Sequence, residues 1–122
     1  MLQEESLVKV ADNSGAKTIK VFRVLGGTKK RYARLGEIVV ASVKSAEPRK
    51  AIKKKDIVKC LVVRTAAPIR RKDGSYIRFD NNAVVIVDDK KEPRSTRIFG
   101  PIPREIKEMK YDKVFSLVEE IV

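Results

Sequence analysis

Short runs rich in valine and isoleucine, each closed by turn residues, fill the first three quarters of the chain. They read "SLVKVA", "KTIKVFRVL", "EIVVASV", "DIVKCLVVR", "SYIRF" and "AVVIVD". β-Branched and aromatic residues at this density predict strands. Asp12 to Gly15 suits a tight turn, Gly26-Gly27 a bend or bulge, and Asp73-Gly74 is a strong hairpin signal. Strands at such regular spacing predict a small antiparallel barrel or sandwich rather than βαβ units.

The pattern changes after Val87. "DDKKEPRS" is polar, and "PREIKEMKYDKVFSLVEEI" places apolar residues at Ile106, Met109, Val114, Leu117 and Val118, a broken helical spacing. Pro103 suits the first helical position and Glu105 the first turn. One or two short helices packed on the barrel are expected. The chain of 122 residues reads as one domain, with the barrel over roughly 1–90 and a C-terminal loop with short helices over roughly 91–122.

Charge adds a direction to this outline. The formal net charge is +12, which favours a polyanionic partner, nucleic acid before an acidic membrane. Residues 28–56 carry ten basic side chains against three acidic, and residues 57–79 six against one. The segments on either side are close to neutral, so one central block holds the excess.

Candidate chemistry is sparse. Histidine is absent, which removes the commonest general base and every Ser-His or Cys-His pair. Cys60, the single cysteine, lies in the apolar run "IVKCLVV" and reads as a small buried hydrophobe; no disulfide or thiolate metal site is available within the chain. "SGAKT" has the outline of a phosphate-loop ending, but Ala16 stands where the glycine is required. Asp80, Asp88 and Asp89 could hold magnesium in a nuclease, yet each occupies a turn or strand end that attracts aspartate anyway. No run approaches the ~18 apolar residues of a membrane span, and no basic-then-apolar leader opens the sequence. The expectation is a cytoplasmic, non-enzymatic protein without metal or cofactor.

Basic clusters fall at the predicted connections. Lys29, Lys30, Arg31 and Arg34 form one; Arg49, Lys50, Lys53, Lys54 and Lys55 form another; Arg70, Arg71 and Lys72 open a hairpin that continues through Tyr76 and Arg78. Lysine and arginine on loops suit phosphate pairing with little sequence preference, although a charge run by itself is also an ordinary solvated surface. Along the hairpin, alternation sends Ile77 and Phe79 to one face, with Phe79 expected in the core, and Tyr76 and Arg78 to the other. There they suit stacking on an unpaired base, or simple cross-strand packing.

The segments "VADNSGAKTIKVFRVLGGTKKRYARLGEIVV", "RTAAPIRRKDGSYIRFDNNAVVIV" and "TRIFGPIPREI" follow one another in order. Together they resemble the family of bacterial large-subunit ribosomal protein fourteen over nearly the whole chain. The resemblance implies a closed five-stranded barrel with a protruding hairpin and short C-terminal helices, and no catalysis. It implies binding to large-subunit ribosomal RNA beside ribosomal proteins nineteen and three, bridges to small-subunit ribosomal RNA, and docking of a silencing factor. Thr96, Arg97 and Lys113 stand at the implied docking positions. The chain departs from the family pattern at Thr65 to Ile69, where basic residues and a glycine are usual, and at Ser95, where a glycine is usual.

Two other functions compete. One is a free single-strand-binding barrel of the OB type acting as an RNA chaperone or regulator, for which seven aromatics without tryptophan would make a thin stacking surface. The other is the basic nuclease built on the aspartates.

Overall fold

The computed structural model describes residues 2–3, 6–25, 32–50, 52–108 and 111–122. Among them are β1 (Leu2–Gln3), β2 (Leu7–Val10), β3 (Ala16–Val24), β4 (Tyr32–Ala33), β5 (Ile38–Ala46), β6 (Ile57–Arg64), β7 (Ile69–Arg70), β8 (Tyr76–Ile77), β9 (Ala83–Val87), β10 (Ile98–Ile102), α1 (Glu105–Glu108), α2 (Asp112–Ser116) and β11 (Val118–Ile121). Strands β2, β3, β5, β6 and β9 close into a barrel in that order. Four of its joins are antiparallel along the circuit from β2 to β9. The fifth, β9 against β2, is parallel and pairs Val10 with Val84. Closure leaves the barrel without a free edge.

Period-two alternation accounts for the barrel interior. Val8, Ile19, Val21, Val39, Ala41, Val43, Cys60, Val62, Val84 and Ile86 gather inside it. The apolar runs of β6 and β9 are nevertheless continuous rather than alternating, and all five residues of β9 are buried. The second set of faces explains this. Leu61, Val63, Ala83, Val85 and Val87 form an outer layer with Ile98, Ile102, Ile106 and Val114 of the C-terminal segment. Strands covered on both faces need no polar positions. Each fully buried aliphatic in that layer contributes about 1.5–3 kcal/mol, which is what holds β10, α1 and α2 on the barrel.

The C-terminal segment corrects one expectation. Helical spacing extends to Val118 in the sequence, but α2 ends at Ser116 and Val118–Ile121 is a strand, parallel to β10. The β-branched residues there accept an extended chain, and β10 supplies the backbone partners. Pro103 precedes the first helix without entering it; Ile106 N donates to its carbonyl at 3.2 Å, closing a tight turn over residues 103–106 that leads into α1. The expected positions Gly26, Gly27 and Met109 lie outside the described residues.

Strand direction fixes which connections share an end. The connection from β3 to β5 and the excursion from Thr65 to Asn82, between β6 and β9, leave one end of the barrel. Residues 11–15, 47–56 and 88–97 leave the other.

Candidate nucleic-acid interface

The hairpin forms where the Asp-Gly signal predicts it. Ile69 pairs with Ile77 and Arg70 with Tyr76, and Gly74 takes φ +88°, a left-handed conformation natural to glycine. Arg71 N donates to Ser75 O at 2.8 Å and Gly74 N to Arg71 O at 3.0 Å. The Asp73 carboxylate accepts from Ser75 Oγ at 2.6 Å and from Ser75 N at 3.0 Å, and these bonds hold its pKa below the ordinary aspartate value. One carboxylate oxygen of Asp73 and the hydroxyl of Ser75 are thereby spent on the turn.

Directly opposed residues of a two-stranded pair share a face, so Arg70 and Tyr76 stand together. Both are exposed, Tyr76 at 68%. Arg78 is exposed too, while Ile69, Ile77 and Phe79 are half-buried, so the expected core position of Phe79 is only partly attained. Neither Arg70 nor Arg78 has a side-chain partner among the described residues. At the base of the hairpin, Ala66 N donates to Asn82 Oδ1 at 2.8 Å, Thr65 Oγ1 to Ala67 O at 3.1 Å and Phe79 N to Thr65 O at 3.1 Å. These bonds pin the departure from β6 and the return to β9.

Arg71 behaves differently from its neighbours. Its Nε lies 2.9 Å from Glu105 Oε1, and its Nη2 donates to Glu105 Oε2 at 3.4 Å and to Val122 O at 2.8 Å. Only 14% of the side chain is exposed. Arg64 makes a comparable tie: its Nη1 donates to the carbonyls of Phe99 at 3.1 Å and Pro101 at 3.4 Å, and burial lowers its pKa. Between those carbonyls sits Gly100 at φ +83°, where a Cβ would run into the Arg64 guanidinium. Two cations of the central basic block therefore fasten the C-terminal segment rather than face solvent. Lys59 is paired as well, with Asp89 at 3.0 Å.

The basic loop 47–55 is built on a plug. Ile52 is 2% exposed and belongs to the barrel core, while Arg49, Lys50, Lys53, Lys54 and Lys55 are all exposed around it. Glu47 N donates to Gly15 O at 2.7 Å, Lys55 N to Val43 O at 2.9 Å, and Lys53 N to Asp56 Oδ2 at 2.9 Å. Arg49 and Lys55 hold positive φ, 66° and 75°. A non-glycine residue adopts that conformation only where its surroundings fix it.

The three basic clusters do not form one patch. Arg34 and the hairpin residues share one end of the barrel; loop 47–55 occupies the other. Lys29, Lys30 and Arg31 lie outside the described residues. The charge count finds the basic block but not this division, which depends on the direction of each strand.

Thr96 and Arg97 sit at the end shared with loop 47–55, held by a residue that charge and alternation do not mark. Asn13 Oδ1 accepts from Thr96 N at 3.0 Å and Arg97 N at 3.1 Å, and its Nδ2 donates to Thr96 Oγ1 at 2.9 Å. Beside it the buried Asp12 accepts from Ser14 Oγ at 2.5 Å and Ile86 N at 2.9 Å. Burial raises the pKa of Asp12 against the opposing pull of these bonds. "DNSG" is thus a clamp between β2, β9 and the loop before β10, not merely a turn. Lys113, on α2, pairs with Glu92 at 2.6 Å, and that hydrogen bond raises its pKa.

Two of the three aspartates that could suggest metal binding, Asp88 and Asp89, have local uses. Asp88 Oδ1 accepts from Lys90 N and Glu92 N, both at 2.9 Å, and Asp89 pairs with Lys59. Among the described residues, no three acids or cysteines gather as a metal site would require. Burial raises the pKa of the Cys60 thiol strongly, the state of an inert core residue rather than a nucleophile.

Between the hairpin base and the C-terminal segment lies a cavity of about 690 Å³. Its walls carry Arg34, Arg70, Lys72 and Arg104 beside Leu35, Ala67, Pro68 and Ile69, with the Arg71 and Glu105 pair at one side.

A closed five-stranded barrel, a pinned basic hairpin and a C-terminal segment folded back over β6 and β9 make the frame on which these cations are set. A family model described as ribosomal protein L14p/L23e matches residues 1–122, the whole of the sequence. The chain belongs to the L14p/L23e family of ribosomal proteins.

Proposed function

We propose that the protein holds large-subunit ribosomal RNA from both ends of its barrel. Membership of the family gives it a structural role in the ribosome, in a family that is generally non-enzymatic. The observation that carries the finer reading is the arrangement of cations that have no side-chain partner among the described residues and stand on fixed backbone. Arg70 and Arg78 project from a pinned hairpin at one end, and five cations surround the Ile52 plug at the other. Preset backbone lowers the ordering cost of gripping each phosphate. On this reading Thr96, Arg97 and Lys113 lie on the surface for small-subunit ribosomal RNA or a silencing factor, and ribosomal proteins nineteen and three are neighbours in the large subunit.

Salt titration of binding to a large-subunit ribosomal RNA fragment tests the proposal. The double variant Arg70→Ala, Arg78→Ala is expected to bind more weakly, with a salt slope smaller by about one unit for each phosphate no longer gripped. An unchanged slope would show that the hairpin does not grip phosphate. A single-strand chaperone is less well supported, because the exposed aromatics Phe22, Tyr32, Tyr76 and Phe99 lie on four separate elements rather than one platform. Tighter binding to homopolymeric single strands than to folded ribosomal RNA would favour it.

A further inference from the structure

The cavity at the base of the hairpin is not explained by phosphate gripping alone. Its volume of about 690 Å³ falls within the ~300–1,000 Å³ of pockets that enclose small molecules. Leu35, Ala67, Pro68 and Ile69 give it an apolar lining, which a phosphate backbone does not need. The guanidinium groups of Arg34 and Arg70, both exposed residues, line it without a partner among the described residues, although Arg34 N donates to Glu37 Oε1 at 2.9 Å. Arg71, the inward cation, is already matched by Glu105. Asp73, the other acid on the lining, stays ionised, yet five cations line the recess against two acids. What remains is an apolar recess with an excess of guanidinium groups.

The geometry points to an unpaired ribosomal RNA nucleotide as its occupant, with the base in the recess and its phosphates against Arg34 and Arg70. A nucleobase is flat and apolar on its faces, and guanidinium planes stack on it. Its own phosphates supply the negative charge the rim calls for. Extrusion from a bulge leaves the neighbouring phosphates on either side, where the hairpin cations stand. The inference rests on the ribosomal RNA reading and adds a base-binding site to a surface that otherwise grips phosphates with little sequence preference.

Two RNA duplexes of equal length test it, one fully paired and one with a single-nucleotide bulge. The wild-type protein is expected to bind the bulged duplex about tenfold more tightly, equivalent to about 1.4 kcal/mol. Ala67→Trp, which fills the recess, should bring the two affinities together without weakening binding to the paired duplex. Nuclear magnetic resonance of the wild-type protein gives a measurement independent of that variant's folding. Adenosine monophosphate should shift the Leu35 and Ile69 methyl signals, and inorganic phosphate should not. A wild-type protein that binds neither RNA overturns both readings, and one that binds them equally overturns the recess alone. Methyl shifts produced by an oligoglutamate peptide but not by adenosine monophosphate would assign the recess to a protein segment and overturn the nucleotide.

Discussion

Arg71 and Glu105 face each other at 2.9 Å across the gap between the hairpin and the first C-terminal helix, with side chains only 14% and 19% exposed. Arg71 also donates to Val122 O, so one guanidinium ties the hairpin to two places in the C-terminal segment. Arg70, its neighbour in sequence, points to solvent beside Tyr76.

Substitution should separate these adjacent arginines. Arg71→Ala is expected to lower unfolding free energy by about 1–3 kcal/mol, the cost of leaving a partly buried charge without its partner. Arg70→Ala should leave stability within about 0.5 kcal/mol of wild type, as surface changes usually do. Denaturant melts of both variants check this, and a double-mutant cycle with Glu105→Gln should show coupling for Arg71 only.

Glycine replacements should differ in the same way. Gly74 and Gly100 both have positive φ, 88° and 83°, but a Cβ at Gly74 meets nothing within 4 Å, whereas one at Gly100 meets the Arg64 guanidinium. Gly74→Ala should cost about 1 kcal/mol from backbone strain alone. Gly100→Ala should cost more and should be non-additive with Arg64→Ala in thermal melts, because removing the guanidinium clears the space.

Loop 47–55 should lose its shape when its anchor is shortened. Ile52→Ala is expected to destabilise the protein by about 2–5 kcal/mol, as truncating a fully buried isoleucine does. Hydrogen exchange at Lys53 and Lys55, whose amides donate to Asp56 and Val43, should quicken more than exchange in β9. If RNA affinity falls while the number of cations is unchanged, loop order contributes to binding.

Asp12 predicts an unusual pH dependence. Its folded pKa is raised, chiefly by burial, so the folded protein keeps a proton at pH values where the unfolded chain has released it. Its contribution to stability is therefore greatest below the ordinary carboxylate range and declines as pH rises through that range to the folded value. The difference in unfolding free energy between wild type and Asp12→Asn isolates this residue from the others. It should move against wild type as pH rises from strongly acid toward neutral.

How far these features were legible depends on the distance over which each is decided. The barrel strands and the Asp-Gly hairpin follow from β-branched density and turn chemistry within a few residues, and the sequence resolves them. The Val118 strand is decided by β10, sixteen or more residues away, and helical spacing misreads it. Arg71 looks identical to Arg70 in the sequence because the partners that distinguish them, Glu105 and Val122, come from a remote segment. Asn13 resembles any turn asparagine until Thr96 and Arg97 fold against it. Ile52 is the exception that had a local signal: a lone branched aliphatic inside a polar, basic loop is a candidate anchor.

The placement of cations at both ends of the barrel has a mechanical consequence. A nine-residue strand such as β5 is about 30 Å long, so the two sets of cations are separated by a stiff, edge-free spacer. RNA segments held at its two ends would be kept at a set separation rather than merely neutralised. Once one end is attached, the other searches only a small volume, and the combined grip exceeds either alone. The barrel would then act as a strut of fixed length between parts of a larger folded RNA, with stiffness as much a part of its work as charge.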